Sequence, residues 1–203
     1  YVLIFKNYGK EAGASQPHGH SQLIGLPVVP KRVLEELESS EDYFRYKERC
    51  PLCDVIRQER ADGRRIIHES EHFIAFAPYA SYLPFQIMIM PKHHDPFFER
   101  MEKSQFMDLA RVFRRVFWAL AQVLGDPPFN CVLHTTPPAS AGDERYNHWH
   151  FEIVPRLTKV AGFEWGSGFY INIATPEDAA EALRAKINEC DEAECPAAEV
   201  EVK

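Results

Sequence analysis

The sequence lacks any apolar run long enough to cross a membrane, and it lacks any run of basic residues. A membrane-spanning helix needs roughly 20 consecutive apolar residues, and no stretch of the chain approaches that length. The formal net charge of −7 argues against non-specific binding to nucleic acid, because a phosphate backbone attracts cationic surfaces. We therefore expect neither a membrane nor a nucleic acid among the partners.

Cysteine is also scarce. The chain has five cysteines, an odd number, and its single Cys-x-x-Cys pair is formed by Cys50 and Cys53. Small secreted domains held by disulfides usually carry an even and denser set, so this pattern indicates a metal site or free thiols. A redox pair or two idle thiols are the alternatives for Cys50 and Cys53. The cysteine usage predicts a cytoplasmic protein.

The composition is that of a globular protein with one or two domains. Of its 203 residues, 45% are hydrophobic and 12% are aromatic. Apolar residues spaced by three and four predict a long helix over 104–124, with Ser104 as N-cap and Gly125 as the stop. Shorter helices are predicted at 54–60, at 176–188 and within 30–49, and strands at 2–6, 22–27, 66–68, 72–77, 85–90, 129–134 and 148–154. This pattern predicts an α+β sheet protein with one long crossover helix.

The most unusual stretch is a His-x-His-x-Gln motif formed by His18, His20 and Gln22, which leads into apolar residues ending at Pro27. On a strand, these three side chains would share one face. An imidazole can attack phosphorus or bind a metal, and an amide can donate to a phosphoryl oxygen without adding charge. The preceding loop, 7–15, has glycines and small polar residues suited to approach by an anion. The alternative to a functional site is that the two histidines are hydrogen-bonded structural residues on a half-exposed strand.

A second copy of the motif begins at His148. His148, His150 and Glu152 repeat the spacing of the first copy, with a carboxylate where the first copy has an amide. A carboxylate would repel a phosphate, so we expect the second copy to be structural and His150 not to be catalytic. A long patterned stretch precedes the second copy, but only seventeen residues precede the first. This asymmetry predicts that most of a first half is absent from the chain.

Residues 5–22 resemble the active-site segment of the galactose-1-phosphate uridylyltransferase family, a branch of the histidine-triad superfamily, and the resemblance continues to about Arg184. The resemblance implies a covalent nucleotidyl-histidine mechanism with His20 as the nucleophile, His18 orienting it and Gln22 donating to the phosphoryl oxygens. It also implies that the nucleotide is contacted by Asn7, Gly13 and Ser15.

The reaction implied by the resemblance moves a uridylyl group from UDP-glucose to galactose 1-phosphate. Two alternatives stay open. Similar sequences are adenylyltransferases or phosphorylases that act on ADP-glucose, and some histidine-triad relatives bind nucleotides without turnover. The base that such an enzyme selects would be set largely outside the residues of this chain.

The resemblance further implies a fold of two histidine-triad-like halves with mainly antiparallel sheets. It divides this chain into the end of an N-terminal half with the active-site motif (1–30), a connector (31–49), a C-terminal half with a zinc site (50–174) and a C-terminal helix with an acidic tail (175–203). The glycine- and aromatic-rich segment 159–170 matches a loop that crosses a dimer interface, so a homodimer is expected. Lys159 and Glu164 would contact the sugar phosphate there, and a packed turn is the alternative.

Zinc is the metal that the resemblance implies. Cys50 and Cys53 have the spacing that lets two thiolates reach one tetrahedral ion. The resemblance adds His94 and His148 as ligands, with His93 in reserve. A competing set, matched to relatives that lack the cysteines, consists of Glu36, His134, His148 and His150. Because both sets contain His148, we expect only one to be filled, and thiolates favour zinc in the cysteine set.

Overall fold

The computed structural model describes residues 1–16, 18–137 and 144–190. Its centre is one seven-stranded sheet in which every neighbouring pair is antiparallel. The strands are β1 Val2–Tyr8, β2 Ser21–Gly25, β3 Ile66–Glu69, β4 Phe73–Phe76, β5 Ile87–Pro91, β6 Phe129–His134 and β7 His150–Pro155. Their order across the sheet is β2-β1-β6-β7-β5-β4-β3. The α+β class and the antiparallel sheet predicted above are confirmed.

Five α-helices accompany the sheet in the described part of the chain: α1 Lys31–Lys47, α2 Pro51–Asp62, α3 Lys103–Leu124, α4 Gly162–Ser167 and α5 Pro176–Glu189. Short 3-10 turns occur at Lys10–Ala12 and Phe98–Arg100. None of the helices seen there has the length and apolar character of a membrane span.

The sheet is packed between two helical layers. On one face, alternate strand residues such as Phe73 and Leu133 form the main core with Val116 of α3 and Leu183 of α5. On the other face, α2 packs through Ile56 on a smaller cluster that consists of Ile74, Phe76 and Met90. Strand alternation explains this arrangement, because successive side chains point to opposite faces.

Helix α3 confirms the predicted crossover helix and corrects its start. Its buried residues, among them Leu109, Val112 and Val116, follow the predicted spacing, and Gly125 ends it in the left-handed conformation with φ 72°. Its N-cap is Glu102 rather than Ser104, because Glu102 and Gln105 form a reciprocal capping box. Satisfying two backbone N–H groups in this way outweighs the single hydroxyl cap that the sequence suggested.

The two strands before residue 30 belong to the same sheet as the rest of the chain. β1 pairs with β2 from Val2↔Gly25 to Lys6↔Ser21, and on its other side it pairs with β6. Because the pairing of β1 with β2 stops at Ser21, His18 and His20 precede the strand instead of lying on it. The expectation that both histidines are strand residues was therefore wrong.

The C-terminal helix begins as its sequence predicts. The Thr175 hydroxyl oxygen accepts a hydrogen bond from the Asp178 N–H at 3.1 Å, and proline occupies the first helical turn. Arg65, which is 3% exposed, donates to Glu59 of α2 at 2.9 Å and to Glu177 of α5 at 2.6 Å. This ion triad, buried at Arg65 and Glu59 and partly exposed at Glu177, connects both helices to the start of β3.

Candidate active site and metal centre

The sheet face that α1 and α2 cover carries polar side chains from both copies of the His-x-His motif. The cross-strand register aligns Gln22 with Phe5, Phe5 with Val132, and Val132 with Glu152. Strand alternation then places the following residues on this face: Asn7, Gln22, Asn130, His134, His150 and Glu152. We call this surface the polar face. It brings the two motifs onto one continuous surface.

The first motif holds His20 in a defined orientation. The Nδ1 atom of His20 lies 3.0 Å from the carbonyl oxygen of His18, and the two rings lie 5.9 Å apart. A carbonyl oxygen can only accept, so Nδ1 carries the proton and Nε2 carries the free lone pair in the neutral ring. His20 is half-buried and His18 is exposed. In its neutral form this half-buried ring therefore offers a nitrogen nucleophile at Nε2.

The second motif repeats this geometry in a buried setting. His150 Nδ1 lies 3.2 Å from the carbonyl oxygen of His148, but His150 is only 5% exposed. Its ring stacks on His134 with centroids 4.6 Å apart and planes 9° apart. Burial and the neighbouring His134 lower the pKa of His150 to about 4. This imidazole is neutral at neutral pH and is enclosed, whereas His20 is open to a ligand.

The loop before His20 is held by close backbone contacts. Gly9 has φ 80° and Gly13 has φ 82°, which are conformations that favour glycine. A Cβ atom on Gly9 would lie 2.6 Å from the Cβ atom of Pro128, so no side chain fits there. The N–H of Gly13 donates to the carbonyl oxygen of Lys10 at 3.0 Å. The backbone N–H of Gly13, which could otherwise donate to a nucleotide, is therefore used within the turn, while Ser15 stays exposed.

The residues assigned to zinc converge at one point. Cys50 and Cys53 lie at the start of α2, His94 follows β5 and His148 precedes β7. Their four ligand atoms all lie within 4.8 Å of one another, and Cys53 Sγ is 3.4 Å from Nδ1 of each of the two histidines. His93, the reserve candidate, is exposed and outside this group.

These residues fit a zinc ion. With Zn–S of about 2.3 Å and Zn–N of about 2.0 Å, sulfur and nitrogen ligands of a tetrahedral ion lie roughly 3.5 Å apart. The opposite ring nitrogens are held by carbonyl oxygens, with His94 Nε2 at 2.7 Å from Glu144 and His148 Nε2 at 2.9 Å from Pro91. This second contact turns each Nδ1 lone pair toward the cysteines. A hydrogen bond from Cys53 holds the pKa of the Cys50 thiol well below its usual range, which favours a thiolate.

The competing set of ligands is a separate cluster without His148. Ligand atoms of Glu36, His134 and His150 lie within 4.8 Å of one another, whereas the two ring nitrogens of His148 face Cys53 and Pro91. The expectation that the two sets compete for His148 was therefore wrong. The physical reason is that His148 precedes β7 and directs its ring nitrogens toward Cys53 of α2 and the Pro91 carbonyl oxygen.

The second cluster pairs a charged imidazole with two carboxylates. His134 Nδ1 lies 2.9 Å from Glu36, and its Nε2 faces Glu152 at 3.6 Å. Burial acts to lower the pKa of His134, but the carboxylates of Glu152 and Glu36 raise it to about 9. Burial likewise opposes ionisation of Glu36, yet the nearby imidazoles lower its pKa to about 2. At neutral pH the cluster holds an imidazolium between two carboxylates.

Glu152 sits in a hydrogen-bond network that the sequence did not reveal. Its carboxylate accepts from Gln86 Nε2 at 2.7 Å, from Tyr82 Oη at 3.0 Å and from Arg32 at 3.3 Å. Glu152 is 8% exposed, so every one of these donors offsets the cost of burying a charge. The network fits the structural role predicted for the second motif.

The segment 159–170 after β7 contains a short helix, α4, instead of the packed turn that the sequence suggested as an alternative. Glu164 caps α4, because its Oε2 accepts the N–H of Ala161 at 2.9 Å. Lys159 is exposed. Large apolar side chains around them face solvent, including Trp165 at 81% exposed and Phe169 at 71%. The hydrogen bond found for the Glu164 side chain among the described residues is this cap within its own segment, not a contact with the His18–Gln22 motif.

Two copies of a His-x-His motif beside one antiparallel sheet, the second joined to a Cys2His2 cluster, define an α+β protein with a candidate active site and a candidate metal site. Residues 36–193 match the family model "Galactose-1-phosphate uridyl transferase, C-terminal domain", and residues 1–39 match "Ap4A phosphorylase N-terminal domain". Because the first match covers most of the chain, the chain belongs to the galactose-1-phosphate uridylyltransferase family.

Named relatives agree with this placement. An ADP-glucose phosphorylase of Arabidopsis thaliana is 40% identical over 185 residues, and a galactose-1-phosphate uridylyltransferase of Thermotoga maritima is 30% identical over 191 residues. Each alignment covers 91% of this chain but only 51% and 59% of those relatives, so the chain spans little more than half their length.

Solved structures give the same result. A crystal structure of the Arabidopsis thaliana ADP-glucose phosphorylase with bound ADP-glucose superposes with a TM-score of 0.83, at 40% identity, covering 91% of this chain and 58% of that one. A uridylyltransferase structure superposes with a TM-score of 0.85, at 32% identity, covering 94% of this chain and 62% of that one.

Proposed function

We propose that this chain carries the nucleophile of a hexose-1-phosphate nucleotidyltransferase. The observation that supports this most strongly is the orientation of His20, whose Nδ1–H is fixed by the His18 carbonyl oxygen at 3.0 Å while Nε2 stays free. Donor and acceptor of such a transfer are both anions, so a neutral nucleophile that divides the reaction into two displacements lowers their mutual repulsion.

In the first displacement, His20 Nε2 attacks the α-phosphorus of a nucleoside diphosphate sugar. The N–P bond forms as the bond to the bridging oxygen breaks, and the hexose 1-phosphate leaves as an anion that needs no proton. The imidazole ring becomes positively charged, and the Nδ1–H bond to the His18 carbonyl oxygen stabilises that charge. In the second displacement, another phosphate attacks the same phosphorus and releases His20 unchanged.

Gln22 is proposed to bind the phosphoryl oxygens through its side-chain N–H groups. It lies on β2, two residues after His20, and is half-buried. An amide adds no charge, so it stabilises the transferring group without trapping the covalent intermediate as a strong ion pair. Asn7 and Ser15 are proposed as further donors to the nucleotide, and Gly13 as the residue whose small size lets the ligand approach.

Two donors are candidates. Uridylyl transfer from UDP-glucose to galactose 1-phosphate is the reaction expected from the sequence, and the similarity to galactose-1-phosphate uridylyltransferases supports it. Adenylyl transfer from ADP-glucose to phosphate is the second candidate, and the 40% identity to an ADP-glucose phosphorylase favours it.

Labelling with both donors tests the proposal. The protein is incubated separately with UDP-glucose and ADP-glucose that carry a radioactive α-phosphate, and the labelled protein is then chased with galactose 1-phosphate or with phosphate. We expect one of the two sugar nucleotides to label the protein at least about 100-fold faster than the other. A pocket that forms hydrogen bonds with one base discriminates strongly against a base that leaves those groups unpaired. Binding of nucleotide without any label from either donor would instead identify a non-catalytic nucleotide-binding module.

We also propose that the chain holds one structural zinc ion through Cys50, Cys53, His94 and His148. All four ligands come from the protein, so the site is closed and supplies stability rather than a reactive metal-bound water. An ion there would join the start of α2 to the ends of β5 and β7. The thiols must stay reduced to bind zinc, which is the basis for the proposed cytoplasmic location.

A homodimer is proposed from the exposed apolar surface of the segment 159–173, where Lys159 and Glu164 would reach the partner's sugar phosphate. Trp165, Phe169 and Ile173 are each more than two-thirds exposed. Light scattering on a size-exclusion column is expected to give twice the chain mass. The double variant Trp165→Ser and Phe169→Ser is expected to give a folded monomer. A wild-type protein that stays monomeric at micromolar concentration would contradict the proposal.

A further inference from the structure

Asn130 is a half-buried amide on β6 that touches the proposed nucleotide site from the neighbouring strand. Its register partner is Asn7 of β1, and both side chains lie on the polar face. Asn130 Nδ2 donates to Asn7 Oδ1 at 2.8 Å and to the carbonyl oxygen of Ala12 at 2.9 Å. No motif includes Asn130, and it comes from the half of the chain that carries the second copy.

The two hydrogen bonds determine how both amides are turned. The Ala12 carbonyl can only accept, so the Asn130 amide must direct its NH2 group, not its oxygen, into this contact. The same NH2 group faces Asn7, which must therefore present its oxygen to Asn130. Because the oxygen of Asn7 is used, its NH2 group points to the opposite side. A Cβ atom built on Gly13 would lie 4.0 Å from that Asn7 nitrogen, so the group is directed at the glycine-containing loop.

We propose that Asn130 is a positioning residue that holds the Asn7 amide with its two N–H donors directed at phosphate oxygens of the nucleotide. This inference rests on the proposed function, in which Asn7 contacts the nucleotide. Without Asn130, the Asn7 amide can rotate by half a turn and present its oxygen, which repels a phosphate. The contact with Ala12 adds a second effect, because it fixes the turn Lys10–Ala12 next to Gly13.

A double-mutant cycle tests the proposal with the near-isosteric variant Asn130→Asp, which cannot donate. Initial rates with the accepted donor are measured for the wild type, Asn130→Asp, Asn7→Ala and the double variant. We expect Asn130→Asp to raise KM for the donor by roughly tenfold in the wild-type background and by less than about threefold in the Asn7→Ala background. The acceptor KM is expected to change little. Equal effects in both backgrounds would overturn the inference.

A second measurement works without substrate and without a variant. In nitrogen-labelled wild-type protein, the side-chain N–H groups of Asn130 are expected to exchange with solvent more slowly than those of Asn7, because both Asn130 hydrogens are bonded. Similar exchange rates for the two amides would overturn the inference even in an active enzyme. A wild-type chain that takes no label from either donor would instead overturn the proposed function, so the two failures are distinguishable.

Discussion

Replacing His20 by alanine is expected to lower the turnover number by at least about 10⁴-fold and to abolish the labelled protein intermediate. The reason is that the counterpart imidazole of the second motif, His150, is 5% exposed and stacked on His134, whereas His20 is only half-buried. The variant is expected to melt within a few degrees of the wild type, because the His20 side chain makes its hydrogen bond only to the adjacent loop. Initial rates and thermal melts of both proteins measure the two effects.

The matched control is His150→Gln in the second copy of the motif. Because His150 packs among buried groups, this variant is expected to lose stability while still accepting label on His20. If His150→Gln abolished the label in protein that remained folded, the assignment of the nucleophile to the first motif would be wrong.

Replacing His94 by alanine is expected to remove zinc and to lower the free energy of unfolding by at least about 3 kcal/mol. For a chain of this size, that loss corresponds to a fall in Tm of roughly 6–12 °C. The physical reason is that a structural ion which binds only the folded state stabilises it by mass action, and that a three-ligand site holds zinc less tightly. Metal analysis and thermal melts of purified protein measure the two quantities.

His93→Ala is the matched control, because His93 is the neighbouring residue, is exposed and lies outside the cysteine cluster. This variant is expected to keep one zinc ion per chain and to change stability by no more than about 0.5 kcal/mol. Equal losses of zinc in the two variants would show that the ligand had been misassigned. If His94→Ala kept the zinc content and the Tm of the wild type, His94 would not be a zinc ligand that stabilises the fold.

Local signals were sufficient to predict most elements of the fold. The long helix was recognisable from apolar residues at three and four because one side of α3 is buried along its length. The start of α5 was recognisable from Thr175 and the proline that follows it. The structure brings the Cys-x-x-Cys pair together with the two histidines that the family resemblance had supplied. In each case the determining residues are close in sequence or belong to a recognised motif.

Features set by pairing between distant strands were not predictable from the sequence. The motif around His20 looked like a strand because the point where β1 stops pairing with β2 depends on register. His148 and His150 looked like partners in one cluster, yet their ring nitrogens belong to two separate groups, one with the cysteines and one with Glu36 and His134. Asn130 carried no signal, because its partner Asn7 lies on a different strand 123 residues earlier in the sequence.

The most direct test of the central claim is peptide mapping of the covalent intermediate by mass spectrometry. Protein is mixed with the accepted sugar nucleotide, quenched in alkali, which preserves a phosphorus–nitrogen bond, and digested. We predict one nucleotidyl group per chain on the peptide that contains His20, and its removal when the acceptor phosphate is added before the quench. A modified residue elsewhere, or full turnover with no modified peptide at any time, would contradict it.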